Sequence, residues 1–139
     1  MESKLHSNKS SLVVGLAIAL IVVTGLIHFV ETPDNLAEAV YKGVMFALNG
    51  ATALVAAAGI YQGSKTWGWG LGVLVAGGAI VMYVVSRAIG LPGVDVDSDW
   101  LEPMGVLSLV VEGVFIALAG LVLLGKTNDH SEKQFPATA

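Results

Sequence analysis

Four long apolar runs, separated by short polar stretches, organise this chain. They cover 12–30, with His28 near the end; 39–61, interrupted by Lys42 and Asn49; 68–89, with Arg87 near the end; and 104–125, with Glu112 inside. Each run holds about 19 to 23 residues, and a helix needs about 20 to cross the hydrocarbon core of a bilayer. None alternates with a period of two, so a membrane β-barrel is not supported. The pattern predicts an all-α polytopic membrane protein, a four-transmembrane-helix bundle. A short N-terminal segment (1–11) precedes it and a polar, disordered tail (126–139) follows it.

The polar stretches between the runs carry helix-boundary chemistry. Thr32-Pro33-Asp34 reads as a start for the second helix, with Thr32 as cap and proline in the first turn. Asp99-Trp100-Leu101-Glu102 reads as a capping-box start for the fourth. Gly90-Leu91-Pro92-Gly93 breaks the third helix before an Asp-rich loop. Tyr61, Trp67, Trp69 and Trp100 fall where an aromatic belt is expected. The first run exceeds a signal-peptide core and lacks a small-x-small cleavage site, so it reads as a retained helix.

Composition strengthens the membrane reading. Hydrophobic residues make up 55% of the 139 and charged residues 13%, and the mean hydropathy is +0.76. So few charges cannot cover the surface of a water-soluble monomer. The net charge of −4 and the absence of a basic run argue against nucleic acid as a partner. Without cysteine there is no disulfide, thiolate metal site or cysteine nucleophile.

Lysines fall on one side of the spans: Lys4, Lys9, Lys65, Lys126 and Lys133. The other side holds Glu31, Asp34, Glu38, Asp95, Asp97, Asp99 and Glu102 against Lys42 and Arg87. By the positive-inside rule both termini are cytoplasmic and the outer face is acidic.

A short internal similarity overlays Gly43–Gly50 on Gly113–Gly120 with five of eight positions identical. It leaves two tandem helical hairpins open as the origin of the fold. Gly43 with Ala47, and Gly113 with Ala117, form small-xxx-small pairs suited to close helix packing.

Glu112 is the residue that most needs a reason. It lies about 13 Å inside the boundary at 1.5 Å per residue, where a charge costs about 2.5 kcal/mol or more on insertion scales. It reads either as a proton or cation site or as half of a buried pair that fixes packing. Ser108 lies on the same face, one turn earlier. Thr24, His28 and Glu31 share one face of the first helix, Asn49 and Thr52 form a step on the second, and Tyr83 and Arg87 lie four apart on the third. Together with Lys42 these residues form a candidate polar cluster in the outer half. The inner half is almost wholly apolar. That asymmetry argues against a continuous pore and leaves a blind outer site or a dry packed core.

Each residue also has a plain structural reading. Arg87 is expected to snorkel to the headgroups rather than pair with Glu112. Lys42 is equally suited to Glu112 and to the headgroups, His28 reads as interfacial, and Asn49 as an interhelical hydrogen bond. A divalent metal held by His28, Glu31 and Glu112, with Asp34 or Glu38 as a fourth ligand, is a further candidate. No cofactor is otherwise implied. The Asp95-x-Asp97-x-Asp99 run lacks the glycine and glutamate of a calcium loop and reads as a solvated loop.

The stretch Ser86-Arg87-Ala88-Ile89-Gly90-Leu91-Pro92-Gly93, with Trp100-Leu101-Glu102-Pro103-Met104-Gly105 and Val110-Val111-Glu112, resembles a pattern in small uncharacterised prokaryotic membrane proteins. His28 with Glu31 fits the same pattern. The resemblance covers 12–125 and implies a four-helix membrane architecture in a prokaryotic cell membrane, with no activity attached. Three functions follow in order of preference. The first is a non-enzymatic accessory or assembly subunit whose partners are lipid and other membrane subunits or further copies of itself. The second is a small oligomeric transporter or proton/cation-handling protein using Glu112. The third is a membrane metal or redox protein.

Overall fold

A computed structural model describes the backbone of residues 2–132 and the side chains of 11–125. It contains four helices: α1 (Glu2–Glu38), α2 (Val40–Tyr61), α3 (Trp67–Ala88) and α4 (Pro103–Glu132). All four are long and apolar enough to cross a membrane, α1 over Ser11–Glu38 and α4 over Pro103–Gly125. They form a four-helix bundle. Each helix packs along its two neighbours in the order α1, α2, α3, α4; among the described residues the backbones of α1 and α3 barely approach across the diagonal, and those of α2 and α4 do not. The α1–α2 turn and the α3–α4 loop share one end, here called the loop end. The expected disordered tail is helical as far as Glu132, and 133–139 lie outside the described residues.

One boundary differs from the sequence reading. α1 runs straight through Thr32 and Pro33 to Glu38, and a single extended residue, Ala39 (φ −156, ψ 130), connects it to α2. Thr32 therefore caps nothing. Its hydroxyl donates back to the His28 carbonyl at 2.7 Å, and Asn35 Nδ2 donates to the Glu31 carbonyl at 2.8 Å. Proline removes one helical donor, and these two side chains bond carbonyls of the same turn.

α4 begins three residues later than the expected cap at Asp99 implies. Asp99 accepts from the Leu101 N–H instead of capping α4, and the first helical bond runs from the Val106 N–H to the Glu102 carbonyl. α3 ends as its glycines require. The N–H groups of Ile89 and Gly90 both reach the Val85 carbonyl, and Gly90 and Gly93 take positive φ of 81 and 73.

The half of the bundle away from the loop end is dry. Ala17 and Ile21 of α1, Ala53 and Ala56 of α2, Ala76 of α3, and Phe115 and Ala119 of α4 are all fully buried there. Trp69 belongs to this core rather than to an aromatic belt: it is 3% exposed and stacks on Phe115 at 6.2 Å between ring centres. Tyr61, Trp67 and Trp100 are exposed. The outward faces carry Leu12, Leu48, Leu74, Val81, Leu107 and Leu121, the apolar surface that lipid contacts.

Lipid supplies no hydrophobic force between helices, so backbones must approach closely. A Cβ on Gly25 would lie 3.1 Å from the Gly50 carbonyl oxygen, and one on Gly50 would lie 3.0 Å from the Gly25 oxygen, which fixes the α1–α2 crossing. At the start of α3, Gly68 lies against the Gly59 and Ile60 backbone, where a Cβ would come within 2.8 Å. The expected Gly113–Ala117 contact is absent: a Cβ on Gly113 meets nothing within 4 Å, and both residues are exposed. The two halves of the internal similarity thus occupy different surroundings.

Gly68→Leu is expected to lower stability by roughly 1–3 kcal/mol, because the obstructing atoms are backbone and cannot rotate aside. Gly15→Leu, in open space, is expected to stay within roughly 0.5 kcal/mol of wild type. Thermal unfolding of both variants in detergent checks the pair.

Candidate functional site

Polar side chains from all four helices meet in the loop-end half, around a cavity of about 460 Å³. α1 contributes the continuous face Ile27, His28, Glu31, Asp34, Asn35 and Glu38, which exists only because the helix continues past Pro33. α2 adds Lys42, Met45, Phe46 and Asn49. From α3 come Met82, Tyr83, Ser86 and Arg87, and from α4 Met104, Ser108 and Leu109. Asp97 and Glu102 line it from the α3–α4 loop. The volume is in the range of small-molecule sites. Below it lies the dry core, so the cavity is blind.

The floor is built on α1 and α4. Glu112 is 1% exposed and lies beneath the cavity lining, where its Oε1 accepts a 2.7 Å hydrogen bond from the Ser108 hydroxyl one turn earlier. His28 is 6% exposed and turns into the bundle, with its ring 5.2 Å from that of Phe46. Its Nδ1 lies 2.9 Å from the Thr24 carbonyl. A carbonyl only accepts, so Nδ1 is the donor, and in the neutral ring Nε2 carries the lone pair. Nε2 faces Glu112 Oε1 at 4.0 Å, too long for a direct hydrogen bond. Thr24 is fully buried, and its hydroxyl oxygen has no hydrogen-bond partner.

Arg87 does not pair with Glu112. It is 9% exposed and turns into the α3–α4 loop, where Nη1 meets Asp97 and Nη2 meets Glu102, each at 2.7 Å. Its Nε donates to the Asp99 carbonyl at 2.8 Å. The guanidinium also lies 4.6 Å from the centre of the Tyr83 ring. Tyr83 in turn donates its hydroxyl to the Trp100 carbonyl at 2.9 Å, and its ring covers Gly105, where a Cβ would come within 2.5 Å. On the other side Tyr41 of α2 donates to the Pro92 carbonyl at 2.8 Å. The loop is therefore anchored to α2 and α3 at once.

The remaining candidates resolve individually. Lys42 bonds Glu38 one turn away, rather than Glu112. Asn49 donates to the Val75 carbonyl at 3.3 Å, the interhelical bond expected of it, while its Oδ1 is buried without a partner. Thr52 turns back to the Leu48 carbonyl. Among the described residues no group of three or more His, Asp and Glu side chains is arranged to hold a metal ion. His28, Glu31 and Glu112 are thus not gathered as a ligand set.

Sequence reasoning missed the apolar wall of the cavity. Met45, Met82 and Met104, one each from α2, α3 and α4, are all the methionines of the chain apart from Met1. Each lies within a few residues of a polar candidate on its own helix, and that proximity is the signal the sequence carries. Comparison with family models, with curated proteins and with solved structures gives no match to this chain.

Arg87→Met leaves Asp97 and Glu102 without their cation. Breaking a buried pair costs about 3–5 kcal/mol, but both carboxylates are half exposed, so the expected loss is about 1–3 kcal/mol. Hydrogen exchange is expected to rise across 94–102 and to stay unchanged in the Ala53–Ile60 segment. Exchange mass spectrometry on both segments checks it.

Proposed function

We propose that this integral membrane protein handles cations through the blind loop-end cavity, with Glu112 as its proton-exchanging carboxyl. The observation that carries the reading is the floor of the cavity. A carboxyl 1% exposed lies behind a histidine that both lines the cavity and faces that carboxyl at 4.0 Å. An ionisable group at such depth is a functional-site reading by default. His28 is the link through which a proton on Glu112 exchanges with the cavity. Five carboxylates line the cavity against two cationic side chains, which draws cations toward the floor. With both termini cytoplasmic, the cavity opens outward.

The dry half of the bundle is the gate in this reading. Passage of a cation requires the alanine- and glycine-packed helices to part, so transport is slow and coupled to a change of conformation. A second reading, an accessory subunit of a larger membrane complex, draws on one observation. Gly113, Ala117 and Gly120 lie along α4 with open space beyond both glycines, a face on which another transmembrane helix packs closely.

Glu112→Gln keeps the shape and the Ser108 contact but removes the exchangeable proton. Proteoliposomes loaded with a pH-sensitive dye and given an inward cation gradient are expected to acidify or alkalinise with wild type. With Glu112→Gln the response is expected to fall to that of empty liposomes, at an unchanged unfolding temperature. A wild-type protein that moves no protons and leaves its native membrane with larger subunits in fixed ratio would overturn the cation reading in favour of the second.

A further inference from the structure

The cavity offers hydrogen-bond acceptors without donors. The carboxylates of Glu31 and Asp34 line it, and neither forms a hydrogen bond or ion pair among the described residues. Asn49 Oδ1 is buried and unpartnered. His28, itself 94% buried by its 6% exposure, has its Nδ1 committed to the Thr24 carbonyl, so the neutral ring keeps its Nε2 lone pair, on the side that faces Glu112 at the cavity floor. The lining cations are already engaged, Lys42 with Glu38 and Arg87 with Asp97 and Glu102. A ligand that satisfies such a lining carries donors, a positive charge and no acceptor of its own.

The other walls are apolar and adaptable. Ile27, Met45, Phe46, Met82, Met104 and Leu109 line the same space. Methionine thioethers fit irregular apolar bodies and contact aromatic rings favourably, and an aromatic face attracts a cation. A bare divalent ion has no use for such walls, and among the described residues no group of three carboxylate or imidazole ligands is gathered for one.

We propose that the cavity binds an organic ammonium, a protonated primary or secondary amine on an apolar or aromatic body. The ammonium donates to the Glu31 and Asp34 side of the cavity and toward the His28 and Asn49 acceptors. The body lies against the methionines and Phe46. This rests on the cavity being a cation site and names the class of cation. An ammonium presents two or three N–H donors and no acceptor, which suits a lining of acceptors that lack donors. About 460 Å³ holds such a molecule with room for a ring.

The test uses the full chain in lipid nanodiscs, titrated calorimetrically at neutral pH with 2-phenylethylammonium, and separately with its neutral isostere 2-phenylethanol. Empty nanodiscs serve as the blank. One-to-one binding of the ammonium, at least tenfold tighter than the alcohol, is the expected result. Glu31→Gln combined with Asp34→Asn is expected to weaken the ammonium at least tenfold and to leave the alcohol unchanged. Absence of binding by the ammonium, equal affinity for the alcohol, or an ammonium affinity unmoved in the folded double variant would each overturn the proposal. The wild-type comparison needs no variant to fold. Glu112-dependent proton movement without ammonium binding overturns the ligand class alone. Ammonium binding in a protein that moves no protons supports the ligand class and overturns transport.

Discussion

Placing the Glu112 carboxyl inside a lipid-crossing helix costs about 2.5 kcal/mol or more on insertion scales, and the loop-end half of the bundle is arranged to offset that cost. Ser108 supplies a hydrogen bond from one turn away on the same helix. α1 brings His28 to the opposite side, oriented by its own backbone through the Thr24 carbonyl. For that to happen α1 must pack against α4, and its helical register must run unbroken from the dry core past Thr24. The Gly25–Gly50 crossing fixes α1 against α2 within one turn of His28. The polar floor and the close helix crossing are therefore one requirement: shifting α1 by a single residue would turn His28 away from Glu112 by about 100°.

The architecture was legible because hydropathy alone specifies it. Four runs of membrane length with no period of two admit only helices, and the structure has four. What failed was chemistry that reads one way locally and another in context. Thr32-Pro33 has the composition of a helix start, yet the same residues continue α1, where the Thr32 and Asn35 side chains fold back onto the carbonyls one turn earlier. That misreading hid the long α1 face from Ile27 to Glu38 that walls the cavity. Trp69 had the composition of an interface and became core because it stacks on Phe115, a ring that Gly72 admits; a Cβ on Gly72 would strike the Phe115 ring at 2.5 Å.

The site was half legible for a related reason. Spacing along one helix correctly put Glu112 with Ser108 and His28 with Thr24, since residues three or four apart share a face. Partners across the loop were beyond it. Arg87 meets Asp97 and Glu102 only because Gly90 and Gly93 fold the chain back on itself, and no periodicity encodes that return. The small-residue pairs were legible as a class and not as positions. Gly25 with Gly50 brings backbones together, while Gly113 faces outward, and helix rotation about the bundle decides between them.

The two halves of the bundle are held by different physics, and this bears on where it yields. The dry half relies on alanine and glycine surfaces in direct contact, so any opening there exposes backbone to lipid or creates an empty space. The loop-end half relies on one guanidinium. Arg87 gathers Asp97, Asp99 and Glu102, rests on Tyr83, and lines the cavity that those residues border. Its carboxylate partners are half exposed, so water competes for them and the clasp is the weaker of the two. Movement of the loop changes the mouth of the cavity at modest cost, whereas movement in the core disturbs the α1–α2 and α2–α3 crossings together. Access to His28 and Glu112 is consequently governed from the loop end.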